Sequence, residues 1–253
     1  MTQTDTARAF HALHDAQDPL ILYNAWDAAT ARACAAAGSR AVATGSHSVA
    51  QAHGYADGQE IPFSLLLSIV ERMAASVDVP LSVDFEGGYA DTPDGLADNL
   101  TRLVEAGAVG VNVEDQRIGG DGLYTVSEQA ARIAVLRRAA EACGVPVFIN
   151  ARTDLFLKET DASRHDALME EAVVRARAYA DAGASGFFAP RVADGLVARL
   201  ADAVPLPLNI MAGPERADAP DLSRRGVARI SYGPFPFIEA MQHFGARAGE
   251  VLS

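Results

Sequence analysis

Four short runs of this 253-residue chain alternate apolar and polar side chains and carry the groups best able to do chemistry. Side chains two apart on a strand point the same way. In LSVDFE (81–86), Val83 and Phe85 therefore share one face, while Ser82, Asp84 and Glu86 share the other. In GVNVE (110–114), Val111 and Val113 oppose Asn112 and Glu114; in FINAR (148–152), Ile149 and Ala151 oppose Asn150 and Arg152. In LNIM (208–211), Leu208 and Ile210 oppose Asn209. Three carboxylates gathered on one inner face repel unless they are protonated or balanced by a cation. Oxygen ligands without a nearby cysteine or HxxxH pair suit Mg2+ or Mn2+ rather than zinc. A buried ion pair of Asp84 and Glu86 with Arg152 is the alternative for any single acid; a metal site accounts better for the whole set.

Placing these groups together requires a particular set of elements. Strands are expected at 20–24, 41–45, 80–86, 109–114, 146–152, 186–190, 206–211 and 227–232. Helices are expected near 27–37, 62–76, 94–106, 127–142, 163–182, 192–202, 218–225 and 235–246. Within 94–106, Leu96, Leu100, Leu103 and Val104 form one apolar stripe, and Thr92-Pro93-Asp94 is a helix start signal. A weak repeat supports the alternation: Gly38, Gly107, Gly144, Gly183 and Gly226 each stand between a helical run and a strand-like run. Eight strand–helix units over this length match the (β/α)8 TIM barrel, an α/β fold. An open doubly wound sheet is the competitor, but no GxGxxG follows the first strand and no linker divides the chain. The expectation is one barrel domain over 1–253, with an extra N-terminal helix (5–16) across its bottom. The polar set then sits at the carboxyl ends of four strands, where barrel active sites are built.

Composition excludes several other functions. Thirty-three acidic against 21 basic residues give a net charge of −12, which argues against nucleic acid and against a polybasic membrane-surface role. No apolar run reaches the length of a membrane span, and the N-terminal segment lacks a basic-then-apolar pattern, so a cytoplasmic protein is expected. Cys34 and Cys143 lie in Ala-rich helical runs and read as small core residues. Lys158 is the only lysine and stands several residues past its nearest strand, which disfavours Schiff-base chemistry.

At these residues the sequence resembles the isocitrate lyase / phosphoenolpyruvate mutase superfamily, from about Tyr23 to Ile238. NAWDAATA (24–31) is similar to the family's first strand-to-helix turn, and TGS (44–46) to its substrate loop. HGYAD (53–57) supplies a matching aspartate; DFEGGYA (84–90) matches the Asp-X-Asp-X-Gly-Tyr-Gly motif with Glu86 in place of the second aspartate. VNVED (111–115), NARTD (150–154) and NIM (209–211) match the segments ending the fourth, fifth and seventh strands. The resemblance implies Mg2+ on Asp84, with Asp57, Glu86 and Glu114 holding its waters. It also implies a 2-oxo acid chelating that ion, with its carboxylate gripped by Thr44 and the N–H groups of Gly45 and Ser46. Arg152 would contact the substrate, and Asn209 would hold its distal end. Mg2+ and Arg152 would then stabilise a pyruvate-like enolate where charge develops.

The chain also departs from the family. The Lys-Lys-Cys-Gly-His loop of the lyases is replaced by DQRIGGDGLYTV (115–126), and the mutase-type loop with Lys and Asn is absent. FFAPRV (187–192) lacks the glutamate or histidine usual near the end of the sixth strand. In the remaining lid segment, Arg117, Asp121 and Tyr124 are the polar candidates, with Gly119, Gly120 and Gly122 able to let it close. His47 and His53 are acid/base candidates, and Tyr23 and Trp26 are candidates for the pocket floor. The catalytic candidates are thus Arg152, Tyr124, Asp121 and His47. Substrate contacts are assigned to Tyr23, Thr44, Gly45, Ser46, Asn112, Arg152 and Asn209, and the metal to Asp84, Glu86, Glu114 and Asp57. The reading is a Mg2+-dependent lyase that cleaves or decarboxylates a small 2-oxo or 2-hydroxy carboxylate. The alternatives are a phosphonate C–P enzyme and a 2-oxo acid-binding protein with reduced turnover. The resemblance further implies a homo-oligomer, dimer or tetramer, with PFPFIEAMQHF (234–244) as a candidate exchanged helix.

Overall fold

The structure, a computed structural model, describes residues 2–214 and 219–253. Eight parallel strands form one sheet: β1 (Leu20–Leu22), β2 (Val42–Ala43), β3 (Leu81–Asp84), β4 (Gly110–Glu114), β5 (Phe148–Arg152), β6 (Gly186–Phe188), β7 (Leu208–Met211) and β8 (Arg229–Ser231). Their order, β1-β8-β7-β6-β5-β4-β3-β2, leaves β1 and β2 to meet. They do so through a single bridge between Ala25 and Thr44, with Ala25 N–H donating to the Ala43 carbonyl at 2.8 Å. The result is the expected (β/α)8 barrel, with every expected strand present.

Helices separate the strands: α1 (Gln3–Ala12), α2 (Ala28–Ala36), α3 (Ser46–Ala52), α4 (Phe63–Ala74), α5 (Pro93–Glu105), α6 (Val126–Ala142), α7 (Leu155–Lys158), α8 (Met169–Asp181), α9 (Val197–Ala203), α10 (Ala219–Arg224) and α11 (Phe235–Leu252). Local sequence accounts for several of their limits. Thr92 caps α5 by accepting from Gly95 N–H, Pro93 occupies the first turn, and the stripe Leu96, Leu100, Leu103 and Val104 is buried. Thr125 and Glu128 close a capping box at the start of α6. At Gly107 (φ +104°) and Gly183 (φ +99°) the chain leaves its helix in the left-handed conformation that glycine adopts freely.

Several elements differ from expectation. The short α3 lies in a segment expected as loop; seven residues, capped by Gly45 without a side-chain bond, carry too little periodicity to read. The helix expected over 163–182 begins as a 3-10 turn (Ala162–Leu168) and becomes α-helical only at Met169. The last helix extends to Leu252 rather than ending at 246. Residue 218, expected to open the helix before β8, lies outside the described residues, and α10 is described from Ala219. Among the described residues no helix is long and apolar enough to cross a membrane.

Val83, Val111, Val113, Ile149, Ala151 and Ile210 are buried in the apolar core, as the alternation requires for residues facing the helices. The opposite face of these strands fills the barrel with polar side chains, and Ser82, Asn112, Asn150, Asn209 and Arg229 are all buried. The amino-terminal ends are stopped by α1, which starts earlier than expected because Thr2 and Asp5 form a capping box. Gln3 Nε2 donates to the Val104 and Ala108 carbonyls at 2.6 and 3.1 Å. Phe10 enters the barrel mouth edge-on to Phe148, where a side chain at Gly110 would collide with it. Burying a phenylalanine in this way contributes about 2–3 kcal/mol.

His14 stacks on Phe148 with ring centres 3.7 Å apart and bonds through Nδ1 to the Phe10 carbonyl at 2.8 Å. A carbonyl only accepts, so Nδ1 carries the proton, and Nε2 is buried without a partner among the described residues. Burial, with Arg229 adding repulsion, lowers the pKa of His14 to about 3. The stabilisation this represents is complete above the ordinary histidine value near 6.5 and is lost as pH falls toward 3. Thermal midpoints measured from pH 7 to pH 3 should therefore fall more steeply in the wild type than in His14→Phe.

Candidate active site

A cavity of about 200 Å3 opens at the carboxyl ends of the strands, lined by Gly45, Ser46, His47, Asp57, Asp84, Asn112 and Arg152 among the expected residues. Thr44, Glu86, Glu114 and Asn209 are buried beneath or beside it and do not line it. Tyr23, Tyr124 and Asp121 lie elsewhere. Tyr23 follows the alternation of β1, in which Leu20 and Leu22 are buried and Ile21 is exposed, so its ring faces outward at 47% exposure. Its hydroxyl donates to Glu239 at 3.2 Å. The Tyr124 ring is held between the guanidinium groups of Arg117 and Arg132, 4.5 and 4.6 Å from its centre. Asp121 is exposed at the tip of the lid segment.

Arg152 forms the rigid side of the cavity. Its Nε and Nη2 donate to Asp154 Oδ1 and Oδ2 at 2.6 and 3.0 Å, and its Nη1 lies 3.0 Å from Glu114 Oε2. The partners are thus Glu114 and Asp154, not Asp84 and Glu86. Burial opposes the charge on Arg152, but the two carboxylates outweigh it and hold the guanidinium protonated above its ordinary range. The two hydrogen bonds to Asp154 use two of its five N–H groups, and Glu114 pairs with Nη1 by charge. Asp154 is itself held: its N–H donates to Asp115 Oδ1 at 2.9 Å, while Asp115 Oδ2 accepts from Arg175 and the Tyr179 hydroxyl at 3.1 and 2.9 Å. Neither Asp154 nor Asp115 was expected as a site residue. For Asp154 the signal was present, since it lies two residues beyond Arg152.

The opposite side is built on Asp84 and Glu86. Asp84 N–H donates to Thr44 Oγ1 at 2.8 Å, and Asp84 Oδ2 accepts from Ser46 N–H at 3.1 Å. Asp84 Oδ1 is buried and has no hydrogen-bond partner among the described residues. Glu86 accepts from Gly58 and Gln59 N–H at 3.0 and 2.8 Å through Oε2, and from the Tyr89 hydroxyl at 2.6 Å through Oε1. Burial raises its pKa to about 7, although Tyr89 and Gln59 favour the charged form. Gln59, Glu86 and Tyr89 are the non-glycine residues with positive φ among the described residues, and they are bonded to one another. Backbone strain is therefore gathered around this one carboxylate, which ties the loop bearing Asp57 to the end of β3.

Asn24, also unforeseen, closes the site on the side of β1. Its Oδ1 accepts from Tyr232 and Gly233 N–H at 2.9 and 2.8 Å, and its Nδ2 donates to the Thr44 carbonyl at 2.8 Å.

The donor set fits a hard divalent cation. All the acidic groups offer oxygen, and an unpartnered buried carboxylate oxygen is costly until a positive charge satisfies it. Among the described residues, no three His, Cys, Asp or Glu side chains are close enough to hold an ion together. Asp84 can thus act as a direct ligand with other acids acting through water, as the resemblance implies. Burial pushes Glu114 well above the usual carboxylate range despite Arg152 beside it. Asp154→Ala would leave the largely buried Arg152 with one carboxylate instead of two, and should lower unfolding stability in urea by about 3 kcal/mol.

Comparison with known proteins agrees with this architecture. The family model for phosphoenolpyruvate phosphomutase matches residues 10–252. An uncharacterized protein of Mycobacterium tuberculosis is 34% identical over 97% of this chain and 89% of its own length. The 2-methylisocitrate lyase of Escherichia coli is 26% identical over 82% of this chain and 70% of its own. A crystal structure from Burkholderia cenocepacia J2315, provisionally described as a phosphonomutase, superimposes with a TM-score of 0.95 at 41% identity, covering 98% of this chain and 99% of that one. A phosphonopyruvate hydrolase in complex with oxalate and Mg2+ superimposes with a TM-score of 0.85 over 97% of this chain and 86% of its own; at 18% identity the likeness shows the fold alone. The chain belongs to the phosphoenolpyruvate phosphomutase family, within the isocitrate lyase / phosphoenolpyruvate mutase superfamily of lyases and mutases.

Proposed function

We propose that this protein is a Mg2+-dependent lyase that cleaves a C–C bond in, or decarboxylates, a small 2-oxo or 2-hydroxy carboxylate. The observation that carries this reading is the buried, unpartnered Oδ1 of Asp84, in a cavity that it shares with Arg152. A divalent cation bound there supplies positive charge to an enolate oxygen as it develops. Asp84 would bind it directly, with Asp57 and Glu114 holding its waters; Glu86 serves mainly by anchoring the Asp57 loop. The N–H groups of Arg152 that Asp154 does not take bind the substrate's oxygens, with the guanidinium oriented by Asp154 and Glu114 before substrate arrives. His47 lines the same cavity and is the candidate to move a proton. A second reading, a 2-oxo acid-binding protein with reduced turnover, is favoured by one observation: Tyr124 and Asp121 both stand away from the cavity.

The two readings separate experimentally. Incubation with Mg2+ and a panel of oxaloacetate, 2-methylisocitrate, dimethylmalate-type acids and phosphonopyruvate, followed by pyruvate detection, should show Mg2+-dependent release from a carboxylate. Oxalate binding without turnover anywhere in the panel would favour the binder. Under either reading, Asp84→Ala should weaken Mg2+-dependent oxalate binding by about a hundredfold or more. Unchanged binding in that variant would overturn the metal site itself.

We further propose that two copies pair through α11. This helix buries Pro236 and Phe237 near its start, but leaves Phe244 and Leu252 70% and 85% exposed. A groove of about 750 Å3 on the outside of the barrel, lined by Ile21, Tyr23, Trp26, Ala33 and Cys34, offers an apolar seat for the same helix from a second copy. Sedimentation should find a dimer or tetramer in the wild type and a shift to monomer in Phe244→Asp.

A further inference from the structure

Arg229 opens β8 and points into the barrel, where it is 1% exposed. Among the described residues it has no carboxylate partner, and its Nε and Nη1 find no hydrogen-bond partner. Nη2 reaches Asn112 Oδ1 at 3.2 Å and Ser82 Oγ at 3.4 Å. A guanidinium buried this deeply without a carboxylate is costly. Burial lowers its pKa to about 9. Its position within the interior amides suggests what it does there.

Asn112, Asn150 and Asn209 form a ladder across the barrel, with Asn150 Nδ2 donating to Asn112 Oδ1 and Asn209 Oδ1, each at 2.9 Å. Elementary chemistry fixes the direction of this ladder at both ends. Asn209 Nδ2 donates to the Ile210 and Arg229 carbonyls at 3.0 and 3.1 Å, and carbonyls only accept, so Asn209 must present its oxygen to Asn150. At the other end a guanidinium only donates, so Asn112 must present its oxygen to Arg229. Gly186 leaves room for the middle rung; a Cβ there would stand 2.8 Å from Asn150 Oδ1. With Oδ1 taken from below by two donors, the group that Asn112 has left for the cavity is its NH2.

We infer that Arg229 is a positioning residue that locks the Asn112 amide with its NH2 toward the cavity, making Asn112 a fixed donor to a substrate oxygen. This rests on the 2-oxo acid reading above and adds a residue that neither the metal nor the Arg152 side accounts for. The ladder would resist rotation of Asn112, because a flipped amide would set its NH2 against both the guanidinium and Asn150 Nδ2. The cavity floor thereby selects ligands that place an acceptor oxygen beside Asp84, the strand neighbour of Asn112.

Titration calorimetry with oxalate in the presence of Mg2+ tests this in the wild type, Asn112→Ala, Arg229→Met, Arg229→Lys and the double variant Asn112→Ala/Arg229→Met. Asn112→Ala should bind oxalate about tenfold more weakly. Arg229→Met should lose several-fold, Arg229→Lys should regain part of that loss, and the double variant should bind no more weakly than Asn112→Ala. Additive losses, or wild-type affinity in a folded Arg229→Met, would overturn the assignment. Asn112→Asp gives an independent measure without ligand. It sets a carboxylate against the unpaired guanidinium and should raise the thermal midpoint; a lowered midpoint would overturn the contact. If the wild type itself fails to bind oxalate, the metal and 2-oxo acid reading falls, and with it the donor role of Asn112. Wild-type binding with additive losses would remove only the role of Arg229.

Discussion

The pairing of one guanidinium with two carboxylates at the ends of adjacent strands governs the rest of the site. Arg152 is bound by Asp154, two residues along its own chain, and by Glu114, its register partner on β4. In so little water none of the three charges is affordable alone, and together they hold one geometry. The constraint propagates outward, because Asp154 is oriented by Asp115, and Asp115 by Arg175 and Tyr179 from α8. A helix on the outside of the barrel thus determines the aim of a side chain inside it. Removing Arg175 would be felt at the cavity through three successive hydrogen-bonded groups.

Along its axis the barrel interior is ordered by charge. Carboxylates stand at the top, a layer of amides lies across the middle, and Arg229 stands below them, above a neutral His14 and the ring of Phe10. Asp84 at the top raises the proton affinity of Arg229 beneath, so the two ends sense each other through the amides. Under the proposed function, an acidic chain would receive an anionic ligand through Arg152 and a cation on Asp84, while the surplus acids remain on the surface.

Much of this was legible in the alternation of apolar and polar residues. The eight strands were legible as short β-rich runs between helical runs, and the inward direction of Asp84, Asn112, Glu114, Asn150, Arg152 and Asn209 follows from a period of two in four of them. Helix limits were legible where a cap marked them, as at Thr92. What resisted was whatever depends on which side chain meets which. Tyr124 looked available until Arg117 and Arg132 closed on its ring. Glu86 read as a metal group, yet the backbone of a distant loop occupies one of its oxygens. Tyr23 could have been placed correctly, since it shares the parity of the outward Ile21. Arg229 was overlooked because a buried cation without an acid is not something composition or spacing announces.

The ring of strands is not equally strong all round. Between β4 and β5 five residue pairs are in register, whereas β1 and β2 join by one bridge, backed by the clamp of Asn24 on β2 and β8. The groups expected to grip a carboxylate, Thr44 to Ser46, sit on this seam, while Arg152 sits on the strongest part of the wall. Local opening concentrates where hydrogen bonds are few. Ligand exchange would then use the two walls unequally, with one yielding at the seam and the other serving as a fixed reference against which the substrate is aligned.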